Sequence, residues 1–119
     1  MLSKQNRNNR KEIEQIFKSG SFVNSPNLTF KFFKTKDNLK KISFITPKTV
    51  SKKAVARNLL RRRGDAVLKK YFKDFPVNLL GVFVFGKKSM EVFGGRKNKS
   101  YSPINNLENE IKNILNKIN

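Results

Sequence analysis

The sequence contains no cysteine, no histidine and no tryptophan. A thiolate zinc site, a thiol nucleophile, an imidazole general base and a disulfide framework are therefore excluded together. No glycine-rich phosphate loop appears, and Glu12 and Glu14 stand two apart in a helical pattern, so they do not form a catalytic carboxylate pair. No stretch approaches the roughly 18 consecutive apolar residues of a membrane span, and the opening MLSKQNRNNRKE lacks the apolar core of a signal peptide. A cytoplasmic protein is expected, with no sign of an active site of its own.

Acidic residues are scarce as well: 8 Asp and Glu stand against 27 Lys and Arg, a net charge of +19. Such an excess makes the compact state repel itself unless a polyanion neutralises it. Nucleic acid and anionic membrane surfaces are the two common partners, and binding to either is salt-sensitive. At 119 residues the chain fits a single domain, 1–119, with a basic tail at 1–8. The aromatic set is dominated by 11 Phe, which can fill a core or offer faces on which bases stack.

Along the chain, Ile13, Ile16 and Phe17 recur at helical spacing, with Asn8 or Asn9 as cap and Gly20 as a left-handed stop. Residues 21–24 allow a short extra strand. After the turn Ser25-Pro26-Asn27, LTFKFFKT alternates as a strand, with Leu28, Phe30 and Phe32 on one face and Thr29, Lys31 and Phe33 on the other. ISFIT follows a polar stretch and ends at Pro47, so the two strands read as a hairpin. LLGVFVFG is apolar enough for a central strand covered on both sides. Residues 94–101 read as a basic, mobile loop, and a last amphipathic helix starts at Ser102-Pro103 or at Asn105, where Glu108 completes a capping box. The order is α-β-β-(β)-α-β-α, an α+β chain.

The longest helical pattern runs from about Lys52 to Asp74 and contains KKAVARNLLRRR. Ala56, Leu60, Gly64, Val67 and Tyr71 share one stripe, while Asn58, Arg61, Arg62, Asp65 and Lys69 fall opposite and Arg57 lies at the border. Ala54, Val55, Ala56, Leu59 and Leu60 tie the segment into a helix. Gly64 costs about 1 kcal/mol relative to Ala in a helix interior, which implies either a close approach to the sheet or a kink. Arg57 and Arg61, like Asn58 and Arg62, are four apart, so guanidinium groups and an amide project from neighbouring turns. Arginine forks grip phosphate oxygens bidentately, and the asparagine costs helix propensity without adding charge.

These residues resemble the protein subunit of bacterial ribonuclease P. The family pattern A-V-x-R-N-x-x-[KR]-R is matched by Ala54, Val55, Arg57, Asn58, Arg61 and Arg62, and its Phe-x-x-Gly helix end by Phe17 and Gly20. The likeness extends through the strand at 79–86 and the final helix. It implies a small α/β sandwich with a four-stranded sheet and a left-handed βαβ crossover carrying the basic helix. It further implies that a catalytic RNA subunit with Mg removes the 5′ leader of precursor tRNA while the protein, monomeric alone, binds both RNAs. On that basis Arg57, Asn58, Arg61 and Arg62 contact the catalytic RNA. Phe17 with one or more of Phe30, Lys31 and Phe32 lines a leader groove, and Lys48, Lys52 and Lys53 stand at its edge. Ile13 replaces a common aromatic, Leu59 a frequent Arg, and Thr49 a common second Lys.

Two other classes fit the charge: a ribosomal or other structural RNA-binding protein, and a peripheral membrane binder. The second needs a helix whose apolar face is free to insert, whereas the C-terminal helix is expected to bury its own. No membrane partner is expected.

Overall fold

The computed structural model describes residues 7–36, 38–95 and 102–118. In chain order these form α1 (Arg10–Ser19), β1 (Ser21–Asn24), β2 (Leu28–Lys34), β3 (Lys40–Ile45), α2 (Ala54–Tyr71) with a 3₁₀ turn at Phe72–Asp74, β4 (Leu79–Phe85), α3 (Ser89–Phe93) and α4 (Pro103–Ile118). The strands make one mixed sheet in the order β1-β2-β4-β3. The class is α+β, as expected, and the extra strand at 21–24 is present.

β4 is buried at every position but Val84. A segment apolar on both faces gains most at the centre of a sheet, and β4 takes that place. It pairs antiparallel with β2, from Leu28 opposite Phe85 to Lys34 opposite Leu79. It pairs parallel with β3, from Lys40 opposite Leu79 to Ile45 opposite Val84. The expected β2–β3 hairpin is therefore not formed. The polar loop between them instead straddles the start of β4, with Thr35 N–H donating to Asn78 O at 3.0 Å and Leu79 N–H to Leu39 O at 2.9 Å.

The strand period of two divides the sheet into two faces. On one, Leu28, Phe30, Ile42, Phe44, Phe83 and Phe85 pack with Leu60 and Val67 of α2, Phe93 of α3 and Leu107, Ile111 and Ile114 of α4. On the other, Ile16 of α1 packs with Leu80 and Val82. The first face holds a continuous layer of rings: Phe30 meets Phe83 at 4.5 Å between centroids, Phe83 stacks on Phe44 at 4.9 Å, and Phe44 on Phe85 at 5.5 Å.

Both punctuating glycines serve close approach. Gly64 lies in a helix unbroken from Ala54 to Tyr71, and a Cβ there would sit 2.7 Å from the Phe44 ring. No kink is needed, because the missing side chain lets the helix touch the aromatic layer. Gly20 is extended (φ −80°, ψ 159°), not left-handed. A Cβ at that point would come within 2.7 Å of the Phe32 carbonyl oxygen, so glycine lets α1 turn directly into β1 close against the backbone of β2, its neighbour in the sheet.

Other details depart from the sequence reading. Phe93, just before the expected loop, ends the short helix α3 fully buried against Phe85; residues 96–101 of that loop and 1–6 of the tail lie outside the described residues. α4 starts at Pro103 with Ser102 Oγ accepting from Asn105 N–H at 3.3 Å. The Asn105–Glu108 capping box is absent, because the Glu108 carboxylate accepts a hydrogen bond from the Tyr71 hydroxyl. Glu110, unremarked in the sequence, clamps the β1–β2 turn. It accepts from the Ser25 hydroxyl, from Asn27 N–H at 2.7 Å and from the Asn27 side-chain amide at 3.0 Å.

Asp65 is the larger surprise, since helical phase places it on the polar side and the structure leaves it 1% exposed. Burial pushes its carboxyl pKa up, against the pull of Arg61 and, less, of Arg7. Among the described residues, neither its Oδ2 nor the buried Nε of Arg61 has a hydrogen-bond partner.

Two stability predictions follow from this contact of helix and sheet. Gly64→Ala gains about 1 kcal/mol of helix propensity but overpacks Phe44, which costs about 1–3 kcal/mol. A lowered urea midpoint is expected, and a raised one would show that the ring yields freely. For Asp65, a native pKa above the unfolded value of about 3.9 means that the folded state binds more protons, so its contribution to stability falls as pH rises through that window. Asp65→Asn should therefore gain stability relative to the parent between acid and neutral pH in paired urea titrations. The opposite trend would show that attraction to Arg61 outweighs desolvation.

Candidate nucleic-acid interface

α2 opens with its positive end unrelieved. Lys53 caps it without a side-chain hydrogen bond, and the first turn holds no acidic residue. Lys48, Lys52 and Lys53 are all exposed around this end. The loop that carries them is held firmly: Arg57 Nη1 donates to Ser51 O at 2.9 Å and to Lys52 O at 3.0 Å, and the Thr46 hydroxyl donates to Arg57 O at 3.4 Å. Arg57 thus uses one of its guanidinium nitrogens to tether its own loop.

The four residues expected to act as one set are placed unequally. Asn58 and Arg62 are exposed, Arg57 and Arg61 are half-buried, and Arg61 turns its Nε inward toward the level of Asp65. Val55, expected to pin the helix, is 79% exposed. It precedes Asn58 by three residues and Arg62 by seven, so the three share the outer face. The anchoring is done by Leu60, Val67 and Leu68, with Gly64 between.

A second surface lies on the other side of the sheet. α1 starts with a full capping box, Asn9 Oδ1 accepting from Glu12 N–H at 2.9 Å and Glu12 Oε1 from Asn9 N–H at 2.8 Å. Glu12 also meets Lys41 at 3.1 Å. Just before the cap, Asn8 ties the chain to the sheet, its side-chain amide donating to Gly81 O at 2.6 Å and its N–H to Ser43 Oγ at 2.8 Å. With Ile16 buried on Leu80 and Val82, Phe17 is left 44% exposed, and Lys31 Nζ lies 4.5 Å from the centre of its ring.

Register defines what lies beside this pair. Asn24, Thr29, Val84 and Ile45 are successive cross-strand partners and form one row across the α1-bearing face, and none of the four is fully buried. At the β3 end a depression of about 400 Å³ is lined by Arg7, Asn9, Ile13, Ser43 and Ile45 among others. The row ends at Ile45, next to Thr46, whose hydroxyl reaches the basic helix. Groove and helix are therefore continuous through one residue.

Phe30 and Phe32 are not part of this groove. Phe30 is fully buried in the ring layer on the opposite face, and Phe32 stacks on it at 5.5 Å. Strand alternation sends them to the face away from Lys31. Strand alternation already puts Thr29 on the face of Lys31, but Val84 and Ile45, its neighbours across the sheet, carry no signal of their own. Only the strand order, with β4 between β2 and β3, brings them into line.

Among the described residues no group of three or more Asp or Glu is placed to hold a metal ion, and no helix is long and apolar enough to cross a membrane. The two surfaces offer cations, amides and an aromatic face, a chemistry of binding.

The sequence matches the family model described as Ribonuclease P over residues 2–119. No curated protein matches the chain. Among solved structures, it resembles the RNase P protein from Thermotoga maritima, with 20% identity, a TM-score of 0.79 and coverage of 95% of this chain and 97% of that one. It also resembles the RNase P protein of Staphylococcus aureus, with 13% identity, a TM-score of 0.74 and coverage of 98% and 96%. At such identities these likenesses show the fold. With the family match running over nearly the whole chain, the protein belongs to the ribonuclease P protein family.

Proposed function

We propose that the protein binds the catalytic RNA of ribonuclease P with the outer face of α2 and its preceding loop, and holds the 5′ leader of precursor tRNA in the α1 groove. The observation that carries this reading is the junction at Ile45–Thr46, which joins a strongly basic helix end to a groove with one half-exposed aromatic ring under a lysine. A single strand suits such a groove, because its bases are free to stack while its phosphates meet cations.

On α2, Asn58 and Arg62 are the contacts most open to RNA. Arg61 presents its outer guanidinium nitrogens, and Arg57 fixes the loop that offers Lys48, Lys52 and Lys53. In the groove, Phe17 offers the ring and Lys31 the charge.

On this reading the magnesium that supports phosphodiester hydrolysis is bound mainly by the RNA subunit, and no chemical step is assigned to the protein. Its contribution is electrostatic and positional: it neutralises phosphates that would otherwise demand free cations, and it adds affinity for the precursor through the leader. The protein alone is read as a monomer acting in the cytoplasm.

Reconstitution with the cognate catalytic RNA tests this directly. Adding the protein should lower the magnesium concentration needed for cleavage and favour precursor over mature tRNA. No change in either quantity would refute the assignment. Arg62→Ala should weaken binding to the catalytic RNA and flatten its salt dependence by about one counterion, as should Arg61→Ala through its outer nitrogens. An unchanged slope of log affinity against log salt would show those arginines facing only solvent.

A further inference from the structure

Most of the phenylalanines are accounted for by the core, but Phe22 is not. It lies on the edge strand β1 and is 64% exposed, more than Phe17. The β1–β2 register sets it directly opposite Lys31, and directly opposed residues of an antiparallel pair project from the same face. Lys31 thus stands between two exposed rings, Phe17 on α1 and Phe22 on β1. The neighbouring β1 residue Val23 points the other way and packs against the core, so the strand can be anchored without Phe22.

A Phe this exposed buries little apolar area beyond its strand propensity, and on an edge strand it invites unwanted pairing. Its position suits a ligand with alternating flat faces and negative charges. We propose that Phe22 is a second stacking platform for single-stranded RNA, taking an unpaired base of the leader at the end of the groove farthest from α2. The inference rests on the leader reading above.

Charge and order along the sheet both favour this occupant. Lys31 is placed to meet the phosphate between two stacked bases. β1 and β3 are the opposite edges of a four-stranded sheet, about 14 Å apart at the usual strand spacing. Phe22 therefore contacts leader nucleotides farther from the α2 end than those at Ile45.

The test uses the holoenzyme assembled on its cognate catalytic RNA and precursor tRNAs with a graded series of leader lengths. Phe22→Ala should weaken binding of long-leader precursors by about 5- to 150-fold, the range for loss of one base–aromatic stack, and the defect should shrink as the leader is trimmed. Phe22→Tyr should restore affinity, whereas Phe22→Leu should not, because it keeps apolar area but lacks a flat face. Full affinity in Phe22→Ala, or rescue by Leu, would overturn the proposal. So would a change confined to self-association of the protein, which would mark the β1 edge as a protein contact. Phe17→Ala, run in parallel, separates the two ideas: loss there with none at Phe22 leaves the leader reading standing, whereas no loss at either, with affinity independent of leader length, removes both.

Discussion

The layer of phenylalanine rings between the sheet and α2 is the contact on which the rest of the molecule depends. Phe44, stacked on Phe83 and Phe85, meets the bare backbone of Gly64, and that contact fixes how far and at what rotation α2 sits above β3. The rotation decides which basic residues reach outward. It turns Asn58 and Arg62 to the surface and sends Asp65 inward, so one packing contact sets both the core and the composition of the basic face.

Electrostatics supply the opposing constraint. A chain of net charge +19 keeps few carboxylates to offset it, and the structure uses several of them internally. Glu110 clamps a turn, Glu12 closes a cap and meets Lys41, and Asp65 is buried near Arg61. The outer surface is left with an excess of cations that only a polyanion relieves. Arg57 shows how such a surface is kept in order: by holding Ser51 O and Lys52 O it fixes the loop in the free protein, so that any polyanion docking there would cost less conformational freedom.

Much of this was legible in the sequence, and the failures have physical causes. Element identity followed from local pattern: the capped α1, the alternating β2, the apolar β4 and the long α2 all form where periodicity puts them. Strand partnership did not, because proximity in sequence favours a β2–β3 hairpin, while the burial demand of β4 overrides it. The site divided the same way. The basic helix announces itself by composition, but the groove is a product of register: alternation within β2 already separates Phe30 and Phe32 from Lys31, against what the resemblance implies for them, while Val84 and Ile45 join Thr29 only through the strand order. Phe22 was invisible for another reason: a lone Phe in SFVN gives no hint of its face until its partner strand is known.

The central place of β4 also has a consequence in time. Both β2 and β3 need it as their neighbour, yet it is made after them and after the whole of α2. During synthesis the earlier strands carry their phenylalanines without a complete sheet to bury them, and the short β1–β2 hairpin leaves both β3 and the inner edge of β2 unpaired meanwhile. Assembly must wait for a segment to insert between two strands already in hand, a non-local step of the kind that slows folding. Until then a net charge of +19 works against association of unfinished chains with one another.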